Sequence, residues 1–167
     1  MIRPVKSADA RSIGEILVST WQTAYTGVID PKFPGRLSVE KYTALFENTI
    51  RDGSQVVFVH EENGVVAGFA SGVTPVAGYD CEVKGLYVDP SKQGRGIGGS
   101  LLKHIMGHFA CEGCNSMIIW TLLGVTNNGF YKALGGLEQE SKTIEIGAKN
   151  YRGVGYFFNL RQVFRGN

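Results

Sequence analysis

The chain is poor in cysteine, in charge imbalance and in long hydrophobic runs, and each shortage closes a class of function. Its 3 cysteines in 167 residues are odd in number and irregular in spacing, which excludes a disulfide framework and suits a reducing compartment. Lys and Arg number 17 against 15 Asp and Glu, a formal net charge of +2, so electrostatics make no case for nucleic acid as a partner. The longest apolar run, Met117 to Val125, is far short of the roughly twenty residues that a membrane span requires. Met1-Ile2-Arg3-Pro4 begins a strand, and no signal-peptide core follows it. The expectation is a soluble, cytoplasmic protein with neither membrane nor nucleic acid as a partner. Repeats, linkers and low-complexity segments are lacking too, which predicts a single domain over 1–167. A domain of about this length hides about two thirds of its unfolded surface. A hydrophobic content of 43% with 19% charged residues is that of a globular fold.

Glycine, by contrast, is plentiful at 23 residues, and Gly94, Gly96, Gly98 and Gly99 crowd together after the apolar stretch Gly85-Leu86-Tyr87-Val88-Asp89-Pro90. Glycines allow φ > 0 and let backbone approach a ligand without Cβ atoms in the way. The apolar face of Leu101, Leu102, Ile105, Met106 and Phe109 predicts a helix from about Gly96 to Glu112. Its unpaired first-turn N–H groups and positive dipole end would face the same anion. The stretch reads as a phosphate or pyrophosphate cradle. Gly94-x-Gly96-x-x-Gly99 matches the dinucleotide fingerprint only formally. Asp89 to Gln93 separate strand from glycines, and the next strand ends in Trp120-Thr121 without the acidic residue that a ribose needs. The Gly-Lys-Ser/Thr of a P-loop is absent.

Elsewhere, Ile2 to Val5 reads as a strand, and Ser7 as the cap of a helix with Ile13, Ile16, Leu17, Thr20, Trp21 and Ala24 on its apolar face. Thr26 to Leu37 is a loop. Ser38 caps a second helix, with Val39, Tyr42, Leu45, Phe46 and Ile50 on one side. Gln55 to Glu61 and Val65 to Val73 form a hairpin around Glu62-Asn63-Gly64. Cys81 to Val88, Ser116 to Leu122, Leu137 to Ile146 and Tyr151 to Leu160 complete the strands, with a short helix ending at Gly135-Gly136. The predicted class is α/β (α+β), in the order β-α-α-β-β-β-α-β-α-β-β.

Gln93-x-x-Gly96-x-Gly98 after Leu86-x-Val88-x-Pro90 resembles the acyl-CoA loop of the GCN5-related N-acetyltransferase (GNAT) superfamily, and the element order resembles its whole fold. That resemblance implies a mixed, mostly antiparallel sheet whose middle strands splay apart around the pantetheine arm. It implies acetyl-CoA as co-substrate, no metal, and N-acetylation of a primary amine. Leu86, Tyr87 and Val88 would contact acetyl and pantetheine through their main chain, and Gln93, Gly94, Arg95, Gly96, Ile97, Gly98 and Gly99 would contact the pyrophosphate. Val88's side chain is expected in the core.

An ammonium acceptor must lose a proton before it attacks a thioester. Glu82 stands at the spacing before Gln93 that the superfamily's histone-type members use for a catalytic glutamate, which implies a general base. Acceptor binding and a plain solvated strand position are the other readings. Strand alternation predicts Glu82 and Leu86 on one face. Phe130-Tyr131-Lys132-Ala133-Leu134-Gly135 resembles the segment carrying the superfamily's acidic tyrosine, which assigns protonation of the leaving thiolate to Tyr131 and a core position to Phe130. The asparagine usual seven residues before that tyrosine is Gly124 here, and the usual phenylalanine after the glycine is Gly136. Asn127, or Asn128 beside it, would then take the pantetheine contact.

Trp21, Tyr25 and Phe33 fall where the resembled family builds its acceptor wall, and Thr20-Trp21-x-x-Ala24-Tyr25-x-Gly27 resembles a branch containing small-molecule amine acetyltransferases. These aromatics with Asp30, Asp80 and Glu82 would suit a cation such as a polyamine. A stripe of the first helix's core is the plainer reading of Trp21 and Tyr25. His104, His108, Cys111 and Cys114 share a helical edge, but the resembled family needs no metal and none is expected. A second copy of the chain as partner is left open, as are peptide or protein N-acetylation and a non-catalytic acyl-CoA sensor.

Overall fold

The computed structural model describes residues 1–164. Its strands are β1 (Ile2–Pro4), β2 (Val56–Glu62), β3 (Val65–Val73), β4 (Cys81–Val88), β5 (Ser116–Leu122), β6 (Leu137–Ile146) and β7 (Lys149–Asn159). Its helices are α1 (Ala10–Ala24), α2 (Val39–Asp52), α3 (Ile97–Cys111), α4 (Asn128–Ala133) and α5 (Leu160–Phe164). The seven strands form one sheet in the order β1-β2-β3-β4-β5-β7-β6. Every neighbouring pair is antiparallel except β4 with β5.

Two apolar layers sandwich the sheet. Leu101, Leu102, Ile105, Met106 and Phe109 of α3 pack with Cys81, Val83, Met117, Tyr156 and Phe158 on one face. Ile13, Ile16 and Leu17 of α1 and Phe46 of α2 pack with Val57, Val59 and Phe69 on the other. The hairpin turn is as read: Asn63 (φ 52°) and Gly64 (φ 80°) give the two left-handed residues that match the twist of the flanking strands. Loop Thr26 to Leu37 reaches across to the last hairpin. The Asp30 N–H donates to the Tyr151 hydroxyl at 2.9 Å, and the Asp30 carboxylate pairs with Lys149 at 2.9 Å.

Several expectations need correction. Ser7 caps nothing and opens a short 3-10 turn. Asp9 stands at the start of α1 without a side-chain cap to it; its carboxylate instead accepts the Lys6 N–H at 2.7 Å, and Arg3 holds its two oxygens at 2.8 and 3.0 Å. Leu45 is 52% exposed and Thr49 is buried in its place, the buried stripe of α2 running through Phe46 and Thr49. Ser38 does cap α2, accepting the Lys41 N–H at 3.2 Å. Among the described residues no helix is long and apolar enough to cross a membrane.

Candidate active site

Strand β4 pairs with β5 over only three positions, Cys81↔Met117, Glu82↔Ile118 and Val83↔Ile119. Beyond Val83 the strands part. From there β4 stays hydrogen-bonded to β3 through Ala70↔Leu86, Phe69↔Tyr87 and Gly68↔Val88, and β5 follows β7 to Leu122. Leu86, Tyr87 and Val88 line one side of a cavity of about 390 Å³. Thr126, Asn127, Phe130 and Tyr131 line the opposite side, and Gln93, Gly94, Gly96, Ile97, Gly98 and Gly99 close its end. An extended amide-bearing chain entering this gap would meet strand edge as an added strand does.

The loop is shaped by few interactions. Asp89 accepts the Ser91 N–H at 2.9 Å, and the Gln93 side-chain amide donates back to the Val88 carbonyl at 3.0 Å. Gln93 thus offers the cavity its backbone while its side chain pins the turn. Gly94 (φ 74°) and Gly96 (φ 80°) hold left-handed conformations that other residues resist. Gly98 and Gly99 do not: they are ordinary helical residues of α3, so only half of the four-glycine expectation concerns φ. The first helical bond runs from the Ser100 N–H to the Gly96 carbonyl at 3.0 Å, which leaves the Ile97, Gly98 and Gly99 amides ahead of it as orphan donors. Arg95 is not in the cavity lining, and its guanidinium pairs with Glu62 at 3.2 Å. Val88 is core, as expected, at 9% exposed.

The two asparagines divide their duties. Asn128 spends its whole side chain on the turn after β5, accepting the Gly124 N–H and donating to the Leu122 carbonyl, both at 3.0 Å. Asn127 accepts the Thr121 hydroxyl at 3.1 Å, keeps its amide N–H groups free, and lines the cavity. Tyr131 is 5% exposed, and burial, with Tyr87 nearby, pushes its phenol up from the ordinary value. Tyr25 is shifted upward too, by burial first and then by Tyr87 and Tyr131. Trp21, Tyr25 and Phe33 cluster, with Trp21 4.5 Å from Tyr25 and 5.7 Å from Phe33, centroid to centroid; all three pack against the buried Ile29, Leu122, Val125 and Ile146 outside the cavity lining, and Trp21 donates its indole N–H to the Tyr87 hydroxyl at 3.2 Å.

Glu82 is where alternation misleads. The β3–β4 register jumps from Ser71↔Gly85 to Gly72↔Val83, leaving Lys84 as an unpaired bulge. Cys81, Val83, Leu86 and Val88 consequently all pack toward α3, and Glu82 falls on the other face, that of Tyr87, rather than beside Leu86. Its carboxylate lies 3.0 Å from the Lys84 ammonium and does not line the cavity. Asp80 and Asp30 stand apart from it. Asp80 accepts the Asn115 and Ser116 N–H groups at 2.8 and 2.9 Å, and Asp30 is the partner of Lys149.

Thr20, Ala24, Thr126 and Phe130 also line the cavity. The signal for the first two was available: Thr20 and Ala24 are small residues one helical turn apart on an otherwise bulky apolar face, and Ala24 is exposed rather than packed. His104 and His108 set their edges against Phe58 at 4.5 and 5.3 Å, and among the described residues no three His, Cys, Asp or Glu side chains come together to hold a metal.

A parallel strand pair that splays beside a glycine loop, with the loop opening a helix and a buried phenol across the gap, is the architecture of an acyl-CoA-dependent N-acyltransferase. The sequence model of the acetyltransferase (GNAT) family matches residues 19–135, and the chain belongs to that family; it is an acetyl-CoA-dependent N-acetyltransferase with the GNAT fold. It is similar to the N-acetyltransferase YuaI of Bacillus subtilis (strain 168), with 26% identity over 158 residues, 92% of this chain and 90% of the relative. Among solved structures it is similar to YncA of Salmonella typhimurium, described with its cofactor acetyl-CoA, at a TM-score of 0.71 and 25% identity over 96% of this chain and 93% of that one. The PaiA N-acetyltransferase of Thermoplasma acidophilum, in complex with coenzyme A, matches the fold at a TM-score of 0.77 and 18% identity over 92% and 96% of the two chains.

Proposed function

We propose that the chain transfers the acetyl group of acetyl-CoA directly to a small primary amine within a ternary complex. The observation that carries this reading is the gap itself. One cavity runs from the glycine loop, between β4 and β5, past Tyr131 to Thr20 and Ala24 of α1, while Glu82, Trp21, Tyr25 and Phe33 stand outside its lining. The amides of Ile97, Gly98 and Gly99 would hold the pyrophosphate, and the edges of Leu86, Tyr87 and Val88 with the Asn127 amide would hold the pantetheine arm. Bound there, acetyl-CoA supplies a thioester open to attack. Glu82 takes the proton that the ammonium must lose and releases it to solvent, the amine nitrogen bonds to the acetyl carbon as the carbon–sulfur bond breaks, Tyr131 gives its proton to the sulfur, and the second proton shed by the nitrogen as the amide forms restores the Tyr131 phenol. Burial that keeps Tyr131 protonated suits a donor. The free cysteines fit a cytoplasmic setting.

A polyamine is the acceptor the sequence suggests, on the strength of Asp30, Asp80 and Glu82. Since Asp30 and Asp80 are engaged elsewhere, a single primary amine is the firmer statement. Coenzyme A release with a panel of polyamines, aminoglycosides, amino acids and peptides tests the reading. Acetyl-CoA binding with no turnover on any amine would make the chain a sensor, and turnover confined to peptides would make it a protein acetyltransferase.

A further inference from the structure

Beyond β4, the sheet face that holds Glu82 carries one further carboxylate, Glu140, and one further ammonium, Lys142. Ile118 is the β5 partner of Glu82, and a Cβ at Gly155 would meet both Ile118 and Trp120 at 3.0–3.1 Å, so Glu82, Ile118 and Trp120 share one face. The β4 bulge adds Lys84 to that face, 3.0 Å from the Glu82 carboxylate and itself half-exposed. Across the sheet, the Lys142 ammonium sits 3.9 Å above the Trp120 ring. Among the described residues no carboxylate pairs with Lys142. Glu140 on the same strand is bound by the Tyr79 hydroxyl. Asp30 and Asp80 are spent on Lys149 and on the Asn115 and Ser116 amides. On β4 itself this face therefore presents one carboxylate–ammonium pair, Glu82 with Lys84, with Trp120 and Lys142 further along it.

We propose that the acceptor is an amine that carries its own carboxylate close to the nitrogen, an amino acid with an apolar side chain, held as a zwitterion by Glu82 and Lys84. This rests on the reading of Glu82 as the residue that meets the acceptor nitrogen. The Glu82–Lys84 pair is the charge mirror of an α-amino acid: the carboxylate faces the substrate ammonium, and the ammonium beside it faces the substrate carboxylate. Binding exchanges one ion pair for two and leaves no charge unpartnered, which a diamine cannot do, because its second ammonium would arrive beside Lys84. The partly exposed Trp120 ring gives an apolar side chain a floor. Discrimination against the amine without a carboxylate follows because that amine breaks the Glu82–Lys84 pair and leaves Lys84 unpaired.

Initial-rate kinetics on matched pairs, butylamine against norvaline and 3-(methylthio)propylamine against methionine, with 1,4-diaminobutane as the polyamine arm, test this. The wild type is expected to favour the carboxylate-bearing member by about tenfold or more in kcat/KM, the scale of one charge-assisted contact. Lys84→Gln should cut that preference about tenfold through KM, and Lys84→Glu should turn it toward 1,4-diaminobutane. Equal use of both members of each pair, or a preference untouched by either Lys84 variant, would overturn the inference and leave amine acetylation standing. Binding of acetyl-CoA without turnover on any of the five amines would overturn both.

Discussion

The indole nitrogen of Trp21 and the phenol oxygen of Tyr87, 66 positions apart in the chain, are hydrogen-bonded at 3.2 Å. The bond ties the last turns of α1 to the strand that lines the cavity, so the Trp21 aromatic cluster, proposed to face the acceptor, and the gap between β4 and β5 share one support. Trp21→Phe keeps an aromatic ring and removes the donor. It is expected to raise KM for the acceptor amine by about tenfold, combining a lost hydrogen bond with a weaker cation–π surface. The Kd of acetyl-CoA, measured by calorimetry, should change by less than about twofold, since α3 and the glycine loop are untouched. Equal losses for both ligands would show that Trp21 props up the whole cavity instead of the acceptor side.

The glycine loop separates two kinds of substitution. Gly96 sits at φ 80°, and a Cβ there would find nothing within 4 Å, so Gly96→Ala costs conformation alone. A drop in stability of about 1 kcal/mol is expected for forcing a left-handed alanine. Gly98 is helical, and a Cβ there would meet Phe130 and Val88 at 3.5 and 3.6 Å, ordinary contact distances. Gly98→Val should therefore fold with little change in Tm but fill the cavity end with branched carbon, weakening acetyl-CoA by about tenfold or more. Unchanged acetyl-CoA affinity in a folded Gly98→Val protein would remove the cradle from this loop.

Three phenols near the gap share a direction of shift. Burial pushes Tyr25, Tyr87 and Tyr131 above the ordinary phenol value, which means that the folded chain favours their neutral forms. The stability they contribute is fully present below about pH 10, the unfolded-state value, and is lost as pH rises from there through the raised folded values. Tm should fall in that alkaline window, with phenolate absorbance rising together with unfolding. Phenolate appearing before the Tm falls would show that these hydroxyls are open to solvent.

Most of the fold was legible because its signals were local. Alternating apolar residues, Asn63-Gly64 and the Ser38 cap each act within a few positions, and β4 and β5 carry the predicted bounds. The misses lie where a distant residue decides. The turn before α1 is held by the Asp9 carboxylate on Arg3 and the Lys6 N–H instead of by a Ser7 cap. The bulge at Lys84 arises from pairing with Ser71 and Gly72 on another strand, and it reversed the face of Glu82 in a way that period-two counting could not reveal. The choice between Asn127 and Asn128 likewise depends on which carbonyl stands opposite, a fact of three dimensions. In the glycine loop, only the fold separates Gly94 and Gly96, which hold positive φ, from Gly98 and Gly99, which are ordinary residues of α3.

The roles proposed for Glu82 and Tyr131 part company with pH. Glu82→Gln is expected to lower kcat/KM by about 10²–10⁴-fold near neutrality, with acetyl-CoA affinity nearly unchanged, because the carboxylate stands outside the cavity lining. Raising the pH should restore part of that loss, since more amine then arrives without its proton. If Glu82 only holds the ammonium, alkaline conditions should instead worsen acceptor binding by removing the charge it recognises. Tyr131→Phe removes a donor, so kcat should fall with no alkaline rescue. The effect should shrink with an acetyl thioester whose leaving thiol is more acidic and needs no proton. Calorimetric melting separates a chemical loss from a structural one, because Tyr131 also packs against Tyr156 with centroids 5.4 Å apart and phenylalanine preserves that ring. Near wild-type turnover by both variants from about pH 6 to about pH 10 would mean that the proton leaves the amine for water and that the thiolate departs unaided.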